Sequence, residues 1–185
     1  MSKILVSIFL SLIALNASSA EKFTALTGKN VLTEEAQELP FASSPATVAI
    51  FMSAKCPCSA SHEGLLKELS QQFKNFNFVA IHSNADEDAE TTKAHFQQSQ
   101  LSFPVIADAR SHWADKLGAL KTPHVYVFNS SGEIVYQGGV TDSHVGPSAK
   151  KHFLKEVLED LQAGKTPRHK EGRALGCYIQ RAENS

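Results

Sequence analysis

Two cysteines separated by one proline, Cys56-Pro57-Cys58, are the residues of this chain best suited to chemistry. They follow the apolar run 47–52, which resembles a buried strand, and precede a segment with helical periodicity. The first N–H groups of a helix have no intrahelical partner, and the helix dipole adds about half a positive charge there. A thiolate is stabilised at that point, so the spacing indicates thiol chemistry. The alternative is that two small apolar cysteines merely begin a core helix.

A third cysteine, Cys177, lies in the C-terminal segment 163–185, which has no regular periodicity. Two interpretations of Cys177 stay open: it is a resolving thiol laid beside Cys56, or it forms a static disulfide that holds the tail. Three cysteines leave one thiol over from any single bridge, which favours a redox or metal role over a purely structural one. Basic side chains in the tail would favour thiolates: Lys165, Arg168, His169, Lys170, Arg173 and Arg181.

A soft metal ion is the second chemistry that these residues allow. His62 follows Cys58 by four residues and therefore shares its helix face. With Cys56, these two residues form a sulfur and nitrogen set suited to Cu(I) or Zn, and His124 is a further candidate ligand. This hypothesis describes a periplasmic copper- or zinc-binding protein, whereas the redox hypothesis requires no cofactor. Against it, His62 is also consistent with a solvated helix residue.

The first twenty residues have the features of a secretion signal. Lys3 precedes the apolar run 4–15, which is too short to span a bilayer, and Ser18 and Ala20 fit a signal-peptidase site. We predict a signal peptide at 1–20 and a periplasmic or secreted protein without membrane attachment after cleavage. An uncleaved anchor is the alternative. The net charge of −1 gives no overall field that would favour nucleic acid.

The elements that must position the thiols alternate between strand-like and helix-like stretches, as in an α/β sheet. We predict one domain at 21–162, followed by the tail. Strands are predicted at 47–52, 76–82, 103–106, 124–128 and 133–136, the last two as a hairpin. Helices are predicted at 57–74, around Ala89, Thr92 and Phe96, around Trp113, Leu117 and Leu120, and from Phe153 to Leu161.

The order of these elements resembles the thioredoxin-like fold. A strand, a cysteine turn and a helix are followed by Thr122-Pro123, a β-hairpin and a closing helix. The resemblance implies a central mixed β-sheet flanked by helices. It also implies that Pro123 is a cis-proline packed beside a reactive Cys56, and that Thr122 offers backbone groups to a bound substrate chain.

Within this fold, the chain is similar to the redoxin group, the alkyl hydroperoxide reductase/thiol-specific antioxidant superfamily. It is most similar to a peroxiredoxin-like subgroup with a Cys-Pro turn and a C-terminal Gly-Cys-x-Ile. The resemblance implies an exported thiol-disulfide oxidoreductase or thiol peroxidase-like protein with Cys56 as nucleophile. Its partner would be a thiol- or disulfide-bearing protein or a hydroperoxide. The matching pieces are Cys56-Pro57, Ser83-Asn84, Phe103-Pro104, Thr122-Pro123, Gly132, Tyr136-Gln137-Gly138, Thr141-Asp142 and Gly176-Cys177-Tyr178-Ile179.

The chain departs from these patterns at two places. Ser59 stands where a Cys-x-x-Cys motif has its second cysteine, and the peroxidatic Pro-x-x-x-Thr-x-x-Cys pattern has Ala49 and Ser53 at its first two defined positions. Arg110 is the arginine that the fold could bring near a peroxide. Cys58, expected on a different helix face from Cys56, is a second redox partner, a ligand or an inert residue. A degenerate redoxin with structural cysteines remains an alternative.

Overall fold

A computed structural model describes residues 23–181, so the predicted signal peptide lies outside the described residues. In this part of the chain, helices α1 to α4 span Pro57–Gln72, Ala89–Ser99, His112–Leu117 and Phe153–Gln162. Strands β1 to β9 span Ala25–Asn30, Ala36–Pro40, Ala46–Phe51, Asn77–His82, Val105–Ala107, Lys121–Thr122, His124–Asn129, Ile134–Gly138 and Cys177–Tyr178.

Seven of these strands form one sheet in the order β2-β1-β5-β4-β3-β7-β8. The inner pairs β3–β4 and β4–β5 are parallel, and the outer pairs are antiparallel. This mixed sheet flanked by helices confirms the predicted thioredoxin-like fold. The carboxyl ends of β3, β4 and β5 lie along one edge of the sheet, which is where open α/β sheets place their functional sites.

Strand β3 is the centre of the core and is buried along its whole length. Val48 and Ile50 face one hydrophobic cluster, which includes residues of α1 and α4, while Ala49 and Phe51 face a second cluster that includes Trp113 of α3. Burial on both faces explains the continuous apolar run in the sequence. It also gives Cys56, five residues beyond the end of β3, a rigid support.

Two sequence predictions about regular structure were incomplete. The N-terminal hairpin of β1 and β2 was not predicted; its second strand alternates exposed with half-buried residues and has no regular alternation of polar and apolar residues. The helix predicted around Trp113 and Leu120 ends earlier, at Leu117, because Gly118 adopts a left-handed conformation with φ of 67°. Leu120 therefore lies outside the helix and is 60% exposed.

The tail that was predicted to lack regular structure returns to the domain. Strand β9 pairs with β6 in a separate two-stranded sheet, and Ile179 packs into the second core cluster. Gln137 and Glu171 form a further bridge between β8 and the tail. Within residues 23–181, no helix is both long enough and apolar enough to cross a membrane.

Candidate active site

Cys56 occupies the junction that the sequence indicated. It is the residue immediately before α1, with extended backbone angles, and Pro57 is the first residue of the helix. Proline is favoured there because its missing N–H would be unpaired anyway. The Cys56 side chain is buried, at 3% exposure, and all three cysteines are free thiols in this structure.

The Thr122-Pro123 peptide bond is cis, as predicted, and it lies against Cys56. The Cys56 thiol donates a hydrogen bond to the Thr122 carbonyl oxygen at 3.1 Å. The Thr122 side chain is fully buried, and its hydroxyl has no hydrogen-bond partner among residues 23–181. A buried hydroxyl without a partner is costly unless it has a use. This one is available to donate to Cys56 once the thiol has ionised.

The tail brings Cys177 into the same place. In the β6–β9 pair, Cys177 is opposite Thr122, and its Sγ lies 2.8 Å from Cys56 Sγ. The preceding residue must be glycine, because a Cβ on Gly176 would lie 1.9 Å from the Thr122 carbonyl oxygen. Further along, the Arg181 guanidinium bonds Asp115 and the carbonyl of Ala119, both at 2.6 Å.

Cys56 is the thiol that ionises first. Burial raises its pKa, but three donors that favour the ionised sulfur outweigh this and lower the pKa to about 7: the Cys177 thiol, the Thr122 hydroxyl and the backbone N–H of Ser59. Ser59 belongs to the first turn of α1, so its N–H is one of the unpaired donors of the helix N-terminus. The expectation of an activated thiolate at this helix end therefore has a structural basis.

The other two thiols are shifted in the opposite direction. Burial, together with the hydrogen bond and charge of Cys56, raises the pKa of Cys177 to about 12. Burial and the charge of Cys56 also raise the pKa of Cys58. One thiolate in the cluster therefore discourages a second. Near neutral pH, Cys56 is therefore the thiol that ionises, while Cys58 and Cys177 stay protonated.

Cys58 lies closer to the other cysteines than the sequence suggested. The sulfur atoms of Cys56, Cys58 and Cys177 all lie within 4.8 Å of one another. Residues of the first helical turn surround the N-terminal end of α1, so side chains on different helix faces can still approach one another there. His144, which the sequence analysis did not single out, places Nδ1 3.8 Å from Cys58 Sγ.

The structure does not support the predicted metal ligand His62. It is buried, at 1% exposure, so the alternative of a solvated helix residue is wrong as well. Its Nδ1 pairs with the Cys58 carbonyl oxygen at 2.8 Å, and its Nε2 pairs with the Thr141 hydroxyl at 2.9 Å. Both ring nitrogens are therefore engaged. Burial also lowers the pKa of His62, which keeps the ring neutral.

His124, the further candidate ligand, packs against the ring of Tyr126 at 4.7 Å between centroids. It follows Pro123 directly, and burial lowers its pKa to about 4. Arg110 lies in the wall of a cavity shared with His82 and Asn84, whereas the hydrogen-bond partners of Cys56 Sγ are Thr122 and Cys177.

A buried polar network that the sequence analysis missed supports the loop before Cys56. The Ser53 hydroxyl accepts a hydrogen bond from the Cys56 N–H at 3.0 Å and donates one to Glu87. Glu87 also accepts from the Ala54 N–H at 2.7 Å and pairs with His82 Nε2 at 2.9 Å. The sequence could have indicated this network, because the loops after the adjacent parallel strands β3 and β4 must meet at one sheet edge.

The chain belongs to the family described as "Domain of unknown function (DUF6436)", whose model matches residues 27–181. No curated protein sequence matches the chain at a significant level. A solved structure of an uncharacterized conserved protein from Geobacillus kaustophilus is 24% identical, with a TM-score of 0.79, over 89% of this chain and 93% of its own. A hypothetical protein from Sinorhizobium meliloti is 22% identical, with a TM-score of 0.77, over 86% and 92%.

Structures of named oxidoreductases share the fold at lower similarity. A thiol-disulfide oxidoreductase from Bacteroides fragilis is 18% identical, with a TM-score of 0.54, and the match covers 63% of this chain and 89% of its own. At this level of identity the likeness establishes the fold.

Proposed function

We propose that this protein is an exported thiol-disulfide oxidoreductase in which Cys56 is the nucleophile and Cys177 the resolving thiol. The observation that carries the proposal is the 2.8 Å separation of the two sulfur atoms at the N-terminal end of α1. A disulfide bond requires about 2.05 Å, so a shift of less than about 1 Å would bring the sulfurs to bonding distance. The fold shared with a named thiol-disulfide oxidoreductase supports the same class.

The first step is attack of the Cys56 thiolate on a substrate disulfide. A Cys56–substrate mixed disulfide forms, the substrate disulfide breaks, and one substrate thiolate leaves and takes up a proton. Because Cys56 is buried, the tail has to move aside for the substrate to enter. Strand β9 contains only two residues, but the movement also has to withdraw Ile179 from the second core cluster and break the contacts of Arg181 with Asp115 and Ala119.

Cys177 then resolves the mixed disulfide. Once Cys56 is bonded to substrate it carries no charge, so the interactions with the Cys56 thiolate that raise the pKa of Cys177 disappear. Cys177 loses its proton and attacks Cys56 Sγ, and the second substrate thiol leaves. The substrate gains two electrons and the protein keeps a Cys56–Cys177 disulfide. In the reverse direction the same steps oxidise a substrate dithiol.

A hydroperoxide is the second substrate class for the same pair. Attack of Cys56 on the peroxide would release an alcohol and leave a sulfenic acid, and Cys177 would condense with it and release water. The contacts of Cys56 favour a disulfide substrate. The hydrogen-bond partners of Cys56 Sγ are Thr122 and Cys177, whereas polarising a peroxide would call for an arginine.

Export follows from the predicted signal peptide and suits this chemistry. Disulfides persist in the periplasm and in secreted proteins. The partner would therefore be an exported protein that carries thiols or a disulfide.

Trapping of the mixed disulfide tests the proposal. We would treat reduced protein near pH 7 with an excess of the aromatic disulfide 5,5′-dithiobis(2-nitrobenzoate) and analyse it by mass spectrometry. Wild type should release two thionitrobenzoate ions rapidly and retain no adduct on Cys56. In Cys177→Ser, one ion should be released and a stable adduct on Cys56 should accumulate, because the resolving step is lost.

Cys58→Ser is the matched control, since it removes the other nearby thiol, and it should behave as wild type. If Cys58→Ser accumulates the adduct and Cys177→Ser does not, Cys58 is the resolving thiol. If Cys56 reacts no faster than a cysteine in unfolded protein, the hypothesis of structural cysteines replaces the enzymatic one.

A further inference from the structure

We infer that the three cysteine thiols of the reduced protein form a binding site for one soft metal cation, Cu(I) or Zn²⁺. Cys56 and Cys58 lie at the N-terminal end of α1, and Cys177 lies in β9. Their sulfur atoms are within 4.8 Å of one another. Thiolates are the ligands that select these ions. This inference does not rest on disulfide exchange, because it concerns equilibrium binding to the reduced chain.

The spacing of the sulfur atoms suits a shared ion. With metal–sulfur distances near 2.3 Å, sulfur ligands of one tetrahedral ion lie about 3.8 Å apart. The Cys56–Cys177 distance of 2.8 Å would therefore open by about 1 Å, while the widest pair in the cluster would close by a similar amount or less. Cys177 is carried by the two-residue strand β9, which allows a shift of this size.

A cation also removes the electrostatic obstacle within the cluster. Three thiolates within 4.8 Å of one another would repel, so they need a counter-charge to coexist. A bound cation supplies that charge, and each protonated thiol that ligates it releases its proton to solvent.

The histidine next to the thiol cluster is His144 rather than His62, which the sequence had suggested as a ligand. Both ring nitrogens of His62 are occupied by Cys58 and Thr141. His144 Nδ1, by contrast, lies 3.8 Å from Cys58 Sγ, which is close to the separation of two ligands of one tetrahedral ion. His144 lies outside the group of donor atoms within 4.8 Å of one another, so it would complete a tetrahedral Zn²⁺ site only by moving its side chain toward the other sulfurs. Cu(I) is satisfied by the three sulfurs alone.

Metal binding and the Cys56–Cys177 disulfide exclude each other. Transfer of two electrons from this pair to an oxidant disulfide yields two thiols on the oxidant and removes two of the three sulfur ligands. Oxidation should thus release the ion, and the bound ion should protect Cys56 from oxidants.

Competition titrations test the site. Reduced protein would be titrated without oxygen with Cu(I) against bathocuproine disulfonate, and separately with Zn²⁺ against a chromogenic chelator. We expect one ion per chain, and an affinity at least tenfold lower in each of Cys56→Ser, Cys58→Ser and Cys177→Ser. X-ray absorption of the complex should show three sulfur neighbours at about 2.3 Å.

Histidine variants provide the controls. His144→Ala should weaken Zn²⁺ binding and leave Cu(I) binding unchanged, while His112→Ala, at another exposed histidine, should change neither. Equal Zn²⁺ affinity in these two variants would remove His144 from the site. Absence of one-to-one binding of either ion, or undiminished affinity in Cys58→Ser or Cys177→Ser, would overturn the inference. Neither result would alter the outcome of the mixed-disulfide experiment.

Discussion

The reactivity of Cys56 results from opposing effects on a single sulfur atom. Burial disfavours its thiolate, whereas Cys177, the Thr122 hydroxyl and the helix N-terminus stabilise it. The stabilising contacts outweigh the cost of burial. Because one of these contacts comes from the tail, Cys177 both stabilises the thiolate of the proposed nucleophile and supplies its proposed resolving partner.

The alkylation rate of Cys56 should therefore depend on pH in a characteristic way. With a pKa of about 7, its rate of reaction with iodoacetamide should reach half of its maximum near pH 7, whereas the same cysteine in unfolded protein should do so near pH 8.5. In Cys177→Ala, the midpoint should move upward, because a hydrogen bond to the thiolate is lost. Rates followed by mass spectrometry between pH 5 and about 10 measure both midpoints.

The lowered pKa of Cys56 also makes the free energy of unfolding depend on pH. Because the folded pKa of Cys56 lies below the unfolded one, its ionisation adds stability as the pH rises from about 7 to about 8.5, and this stability is lost as the pH falls through about 7. Above about pH 8.5 the raised pKa of Cys177 acts in the opposite direction. A midpoint at or above 8.5 in the native protein, or one that does not move in Cys177→Ala, would contradict this description of the thiol.

At the scale of secondary structure, the pairing of β6 with β9 decides whether the two thiols meet. The pairing occupies the backbone edge of Thr122, where the sequence analysis expected a substrate chain. A substrate and the tail therefore compete for one position. The tail must be stable enough to close on Cys56, yet short enough to open.

Gly176→Ala should separate the thiols without altering either of them. The added Cβ would lie 1.9 Å from the Thr122 carbonyl oxygen, and a backbone atom cannot move aside cheaply. We expect β9 to leave Thr122 and the rate of Cys56–Cys177 disulfide formation with oxidised glutathione to fall at least tenfold. Quenched samples analysed by mass spectrometry would give the rates.

Gly64→Ala is the matched control for this change. Gly64 lies in α1, no atom lies within 4 Å of its added Cβ, and alanine there should stabilise the helix by up to about 1 kcal/mol. It should leave the rate of disulfide formation unchanged. A Gly176→Ala protein that forms the disulfide as fast as Gly64→Ala would show that the β6–β9 pairing does not position Cys177.

For the whole molecule, the sequence was sufficient to predict the architecture around the thiols. The buried run of β3, the helix after Cys56 and the loop at Pro123 carry strong local signals, and the fold resemblance supplied their arrangement. The N-terminal hairpin was missed because β2 is mostly exposed and lacks a clear apolar face. Strand β9 was missed because two residues have no periodicity to detect.

Parts of the site depended on tertiary contacts that the sequence does not show. Helical spacing placed His62 on the face of Cys58. In the structure, hydrogen bonds to the Cys58 carbonyl and the Thr141 hydroxyl occupy both of its ring nitrogens. His144 and Glu87 lie in loops far from Cys56 in sequence, and only the fold brings them to its surroundings. Spacing along one helix was therefore a poor guide to which side chains meet.

The central claim, that Cys56 and Cys177 form the redox pair, is tested most directly by disulfide mapping. Protein purified without reductant would be alkylated in acid, digested without reduction and analysed by mass spectrometry. We predict a bridge between the peptides of Cys56 and Cys177, with Cys58 alkylated, and loss of the bridge after mild reduction. A bridge between Cys56 and Cys58, or three alkylated thiols even after treatment with oxidised glutathione, would contradict the account.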